Sequence, residues 1–153
     1  MHTGDRAQRA RAATMVTFHR SFGLTVLVLS LLRLGNRLLH GWPRLPKGTA
    51  MWDRAASRFT HSAFYVLMIG VPLVGYIVVS DSSRRQPIHY LGLFDWPLLP
   101  LGVNKALVHT LGDVHGWLAW STIGLLALHI GGALKHRLIN RDGVIARMIP
   151  FAR

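Results

Sequence analysis

Two long stretches without an acidic or basic residue constrain the fold of this chain more than any other feature. Residues 59–80 and 114–134, of 22 and 21 residues, contain no Asp, Glu, Lys or Arg. A bilayer core of about 30 Å is crossed by about 20 apolar helical residues. Each stretch therefore predicts one transmembrane helix.

A shorter apolar stretch near the N-terminus predicts a third span. Residues 21–32 are uncharged and are flanked by Arg20 and Arg33. When this stretch is extended in both directions, it becomes long enough to span a bilayer. Its arginines then lie near the ends of the helix, where long cationic side chains reach the headgroups. A buried or interfacial helix is the alternative for this stretch. We predict an all-α integral membrane helical bundle, a single domain over 1–153, with helices at about 15–39, 59–80 and 114–136.

Composition excludes several other classes of protein. Half of the 153 residues are apolar, which excludes disorder, and the absence of cysteine excludes disulfide scaffolds and cysteine-ligated metals. The 18 Lys and Arg against 6 Asp and Glu first suggest nucleic acid. The basic residues lie between the apolar stretches, however, so we expect a lipid bilayer and no nucleic acid as the partner. The connector 81–113 contains Trp96 and Pro97, which predict a loop at the membrane interface.

The distribution of basic residues predicts the orientation. The first connector with its flanks, 33–58, and the tail from Lys135 together hold eleven Lys and Arg, against seven on the opposite side. Because the more basic side faces the cytoplasm, we expect a cytoplasmic C-terminus. The N-terminus is then outside, although 1–14 are arginine-rich and contain no apolar segment that would export them. This conflict leads to the hypothesis that the chain lacks a first span.

Apart from His136 at the limit of the third span, four of the nine histidines fall within the predicted spans, where an ionisable side chain indicates a functional site. His19 and His115 lie at the outer ends of their helices. His129 lies 14 residues after His115, about 21 Å deeper and within about 40° of the same helix face. His61 starts its span at the level of His129. We interpret the other five as solvated or interfacial: His2, His40, His89, His109 and His136.

Imidazoles from facing helices can ligate haem iron. Arg20, next to His19, is a candidate partner for a haem propionate. From the residues alone, zinc, a proton relay and hydrogen-bonded interfacial histidines remain open as alternatives.

Several motifs in this order and spacing are fairly specific, and the likeness they carry extends over about residues 15–150. They are FHRSFG with His19, RLGNR, HSAFYVLMIGVPLVG with His61, and HGWLAWSTIGLLALH with His115 and His129, followed by KH and RMIP. With them the chain resembles the bacterial cytochrome b561 family of dihaem membrane cytochromes, related to the cytochrome b subunits of nickel–iron hydrogenase.

The resemblance implies a four-helix protein of the bacterial inner membrane, whose second, third and fourth helices match the spans predicted here. It implies that His19 and His115 ligate an outer haem b and that His129 ligates an inner one. The family partner of His129 lies on a first helix that has no counterpart in this sequence. Three explanations are open: the first span has been lost by truncation, His61 replaces the missing partner of His129, or the chain binds one haem. We favour truncation.

The resemblance also implies electron transfer across the inner membrane to or from ubiquinone. In one branch of the family superoxide is oxidised at the outer face, which would make the chain a superoxide:quinone oxidoreductase. A cytochrome b subunit that relays electrons between a partner dehydrogenase and quinone is the alternative. A cofactor-free membrane scaffold is an alternative from another class of protein.

Overall fold

The computed structural model of the protein describes residues 3–41, 51–80, 87–102, 105–135 and 138. Three long helices dominate it: α1 (Thr3–His40), α2 (Met51–Val79) and α3 (Lys105–Lys135). An antiparallel hairpin of two short strands, β1 (Ile88–Tyr90) and β2 (Phe94–Trp96), stands between α2 and α3 in the chain. All three helices are long and apolar enough to cross a membrane. The prediction of a membrane helical bundle with three spanning helices is confirmed.

Each helix begins earlier than the predicted span, at residue 3 rather than 15, 51 rather than 59 and 105 rather than 114. The predicted limits followed the apolar runs, whereas helix formation depends on backbone propensity. The first turns of α1 are rich in Ala, Arg and Gln, which are strong helix formers, and Asp5 lies in the favourable first turn. At about 1.5 Å per residue, the 38 residues of α1 extend well beyond a bilayer core.

Helix α2 packs against both α1 and α3. Gly23 of α1 faces Pro72 of α2 closely enough that a Cβ on the glycine would lie 4.0 Å from the proline Cβ. The large side chains of Trp117, Trp120 and Leu128 remain exposed on α3. Such a surface suits lipid, because helix association in a bilayer needs no thick apolar core.

The hairpin is fixed to α1 by the side chain of Ser21, which is fully buried. The Leu91 amide donates to Ser21 Oγ at 3.1 Å, and Tyr90 shares a hydrogen bond of 2.9 Å with the Thr25 hydroxyl. Leu91 and Gly92 both have positive φ, and the Leu93 amide donates to the Tyr90 carbonyl, as in the type I′ turns that connect hairpins. The predicted interfacial loop therefore contains an ordered hairpin that is held against the middle of α1.

Candidate functional site

His19 of α1 and His115 of α3 face one another at the end of the bundle that carries the hairpin, called the outer end here after the orientation predicted from the sequence. Their ring centroids are 5.9 Å apart and their planes are inclined at 87°. Imidazole nitrogens bind metals at about 2.0–2.1 Å, so two rings on opposite sides of one ion have centroids about 6 Å apart. The observed separation therefore fits bis-histidine ligation of one ion.

The His115 ring is oriented by a hydrogen bond to α2. Its Nδ1 lies 2.9 Å from the Val71 carbonyl oxygen. A carbonyl oxygen only accepts hydrogen bonds, so Nδ1 carries the proton and Nε2 keeps its lone pair. This is the arrangement in which a second hydrogen bond fixes the tautomer of a metal-binding histidine.

Gly75 of α2 makes room for the same ring. A Cβ at this position would lie 2.9 Å from His115 Cε1 and 3.1 Å from His115 Nδ1. Gly75 is part of the quoted sequence motif, but neither its role nor that of the Val71 carbonyl was visible in the sequence. The one signal was a glycine within a membrane span, and small residues in membrane helices also serve plain packing.

A cavity of about 440 Å³ lies between the three helices at this end of the bundle, within the range of small-molecule sites. His19, His115 and Arg20 contribute to its wall, which is otherwise largely apolar, with Gly23, Met68 and Pro72 among the lining residues. An apolar macrocycle with two propionates needs these features: two axial imidazoles, an apolar enclosure and a cation at the edge. The residues present therefore fit haem.

A second pair of imidazoles lies towards the opposite end of the bundle, called the inner end here after the same predicted orientation. The rings of His61 on α2 and His129 on α3 are 6.0 Å apart and inclined at 69°. Phe64 packs against the His129 ring at 5.4 Å. The Arg37 guanidinium lies 6.0 Å from the centre of the Tyr65 ring, one turn after His61. The structure thus brings together the four histidines of the predicted spans as two pairs with nearly equal separations.

Across the described segments, no group of three or more His, Asp or Glu residues could hold a metal ion. Zinc sites take three or four protein ligands, whereas haem brings four ligands of its own and needs two from the protein. The pairs therefore suit haem better than zinc. Outside them, His89 and His109 are exposed and pair with Asp95 and Asp113. His40 is exposed, and His2 and His136 lie outside the described residues.

A membrane-spanning helical bundle with paired imidazoles at its two ends is the architecture of a membrane cytochrome b. A family model described as prokaryotic cytochrome b561 matches residues 1–151, and the chain belongs to this family. It is 33% identical to cytochrome b561 homolog 2 of Escherichia coli strain K12 over 132 residues, which cover 86% of this chain and 68% of that protein. It is also 28% identical to cytochrome b561 homolog 1 of the same strain over 135 residues. These residues cover 86% of this chain and 73% of that protein.

Membership settles the general class of activity. Proteins of this family are transmembrane haem b proteins of electron transport, and the three apolar helices place this one in the bacterial inner membrane as a multi-pass protein. The predicted family, its cofactor class and the membrane location are thereby confirmed.

Proposed function

We propose that this protein carries electrons across the inner membrane through haem b held by His19 and His115 at the outer end. One observation carries this proposal: the two rings are 5.9 Å apart, and the hydrogen bond from His115 Nδ1 to Val71 leaves Nε2 free for a metal. Arg20 lines the same cavity and is the proposed partner of a propionate.

Haem b held by His19 and His115 would supply a one-electron carrier, and with both imidazoles bound redox partners would not need to bind the iron. The residues around it then have three tasks. His19 and His115 fix the height of the cofactor in the membrane, and the apolar wall excludes water and so helps set the reduction potential. Redox partners would then exchange electrons at the edge of the cofactor, so the residues at the mouth of the cavity would control their approach.

The inner pair is the proposed site of a second haem. His129 is the ligand that the family resemblance implies, and His61 faces it at 6.0 Å, close to the separation of the outer pair. Among the described residues, His61 is therefore the best candidate for the second axial position. Two haems about 21 Å apart along α3 would connect the two sides of the membrane.

Ubiquinone is the proposed partner, and a cytoplasmic C-terminus is the proposed orientation. Oxidation of superoxide at the outer face is a second candidate activity. It is favoured by Arg20, a cation in the wall of the outer cavity that would attract an anion. Stopped-flow reduction of the protein by superoxide separates this activity from that of a subunit that only relays electrons from a dehydrogenase.

Haem content of the purified protein tests the proposal. We expect a dithionite-reduced b-type spectrum, loss of one haem per chain in His115→Leu, and no loss in His109→Leu, an exposed histidine of the same helix. His61→Leu and His129→Leu should each remove the second haem. A His61→Leu variant with full haem content would mean that His129 takes its partner from elsewhere.

If the protein is well expressed but colourless, both haem-based functions are excluded and a cofactor-free membrane scaffold is the hypothesis that remains. Full haem content in His115→Leu would contradict the assignment of the outer site.

A further inference from the structure

The outer imidazole pair joins two helices that hardly touch one another. Among the described residues, α1 and α3 each pack against α2 and make few direct contacts with each other. His115 is held to α2 by its hydrogen bond to the Val71 carbonyl. The separation of 5.9 Å between the His19 and His115 rings therefore depends on what holds α1 against α2.

The segment that connects α2 to α3 is hydrogen-bonded to α1 close to His19. Residues 87–99, which include the hairpin, are called the strap here. The hairpin part of the strap is bound to α1 through the Ser21 and Thr25 hydroxyls. Ser21 lies two residues after His19, so the strap is attached to α1 within one turn of the proposed ligand.

The other end of the strap is bound to α2. The Tyr76 hydroxyl donates to the Pro97 carbonyl at 2.6 Å, and the Leu99 amide donates to Ser80 Oγ at 3.2 Å. Ser80 is 1% exposed. Tyr76 directly follows Gly75, the residue that makes room for the His115 ring. The strap therefore crosses from α1 to α2 at the level of the outer pair.

Hydrogen bonds hold α1 to α2 at this level more firmly than apolar contacts do. Lipid is as apolar as the helix surfaces, so a contact such as that of Gly23 with Pro72 gives little net attraction in a bilayer. A hydrogen bond that is broken there leaves polar groups without partners. Ile88 of the strap is 2% exposed and lines the cavity of the outer pair, so the strap is also one of its walls.

We infer that the strap sets the distance and the angle between the His19 and His115 rings, with Thr25 and Tyr76 as the positioning residues at its two ends. The strap holds α1 to α2, and the Val71 carbonyl holds the His115 ring to α2. Loss of either end of the strap lets α1 move away from α2 and separates the two rings. The inference rests on the proposed haem at this pair.

Electron paramagnetic resonance of the haem-loaded protein in nanodiscs tests this role, because the low-spin signal of a bis-histidine haem depends on the angle between the imidazole planes. The signal that is lost in His115→Leu identifies the outer haem. We expect Tyr76→Phe and Thr25→Val each to shift this signal. Each should also speed haem transfer to excess apomyoglobin about fivefold or more, because each loses a hydrogen bond of the strap. Hydrogen–deuterium exchange of 87–99 should be faster in both variants.

Two controls match the threonine substitution. Thr25→Ser keeps the hydroxyl that binds Tyr90. Thr14→Val removes a hydroxyl whose hydrogen bond, to the Ala10 carbonyl, stays within α1. Both controls should leave the outer haem signal and the rate of haem transfer as they are in the unmodified protein.

An engineered disulfide separates positioning from a general defect of folding. The Leu99 amide is in contact with Ser80 Oγ, which brings the two residues within reach of a disulfide, and the natural chain has no cysteine. Ser80→Cys with Leu99→Cys is therefore combined with Tyr76→Phe. Oxidation should restore the outer haem signal and slow haem transfer, and reduction of the same protein should reverse both effects.

Three results would overturn the inference. One is an unchanged outer signal and rate of haem transfer in Tyr76→Phe and Thr25→Val, whether or not exchange of 87–99 is faster. The others are equal shifts in Thr14→Val and Thr25→Val, and a disulfide that forms without restoring the signal. The b-type spectrum of the unmodified protein is recorded first. Absence of haem from it refutes the proposed function, whereas these three results refute the role of the strap alone.

Discussion

At the scale of single residues, His115 depends on two features of α2 that have no charge and no reactive atom. The Val71 carbonyl determines which ring nitrogen carries the proton, and Gly75 determines how closely the ring can approach the helix. Residues that orient a metal-binding histidine in this way commonly tune the metal and its affinity. The reactivity of the outer site is therefore set in part by backbone atoms.

Substitution of Gly75 by alanine should displace the His115 ring. A Cβ 2.9 Å from Cε1 forces the ring or the helix to move, and overpacking of this kind costs about 1–3 kcal/mol. We expect about tenfold or greater loss of haem affinity at the outer site, or a shifted low-spin signal from the haem that remains. Haem titration and electron paramagnetic resonance measure these two effects.

Gly70→Ala is the matched control for this experiment. Gly70 lies on the same helix, and a Cβ there would meet no atom within 4 Å. Both substitutions gain a similar amount of helix propensity, about 1 kcal/mol, so the difference between them isolates the contact with His115. Identical haem spectra and affinities for the two variants would contradict a positioning role for Gly75.

At the scale of elements, the sequence predicted the helices well and the hairpin not at all. The apolar runs predicted the core of each span because the bilayer imposes a length on uncharged segments. The strands have three residues each, too few for an alternating pattern to be recognised. Their stability comes instead from Ser21, which is distant in the chain from the Leu91 amide that it binds.

The hairpin should loosen when Ser21 is replaced by alanine. The substitution leaves the Leu91 amide without its acceptor, at a residue whose positive φ is already unfavourable for leucine. Loss of such a bond costs about 1–3 kcal/mol, so we expect amide exchange in 87–96 to accelerate about tenfold or more. Hydrogen–deuterium exchange in nanodiscs measures it.

Ser121→Ala controls for the loss of a helical serine. Ser121 Oγ donates to the Trp117 carbonyl of its own helix, as Ser21 Oγ does to Thr17, and within the described part of the chain it makes no hydrogen bond to another element. Unchanged exchange of the hairpin in Ser21→Ala would show that the turn and the contact between Tyr90 and Thr25 are sufficient to hold it.

At the scale of the whole molecule, residue spacing alone predicted the two imidazole pairs only as levels in the membrane, and the pairing of His19 with His115 was implied by the family resemblance. The interval of 14 residues between His115 and His129 predicted two depths on one helix, because a helix has a fixed rise. The partners could not be predicted with equal certainty. Whether His61 or another residue approaches His129 depends on helix packing, which spacing along one chain does not contain.

The orientation of the molecule determines which pair faces the cytoplasm, and the absence of cysteine makes it directly measurable. The chain gives no background with thiol reagents, so Leu93→Cys and Trp52→Cys, at positions 75% and 86% exposed, can each report one side. Eleven basic residues against seven predict that Trp52 lies on the cytoplasmic side and the hairpin outside. A membrane-impermeant maleimide should therefore label Leu93→Cys in intact spheroplasts and Trp52→Cys only after lysis. The reverse pattern would put the cavity of His19 and His115 on the cytoplasmic side, where superoxide from the outer side could not reach Arg20.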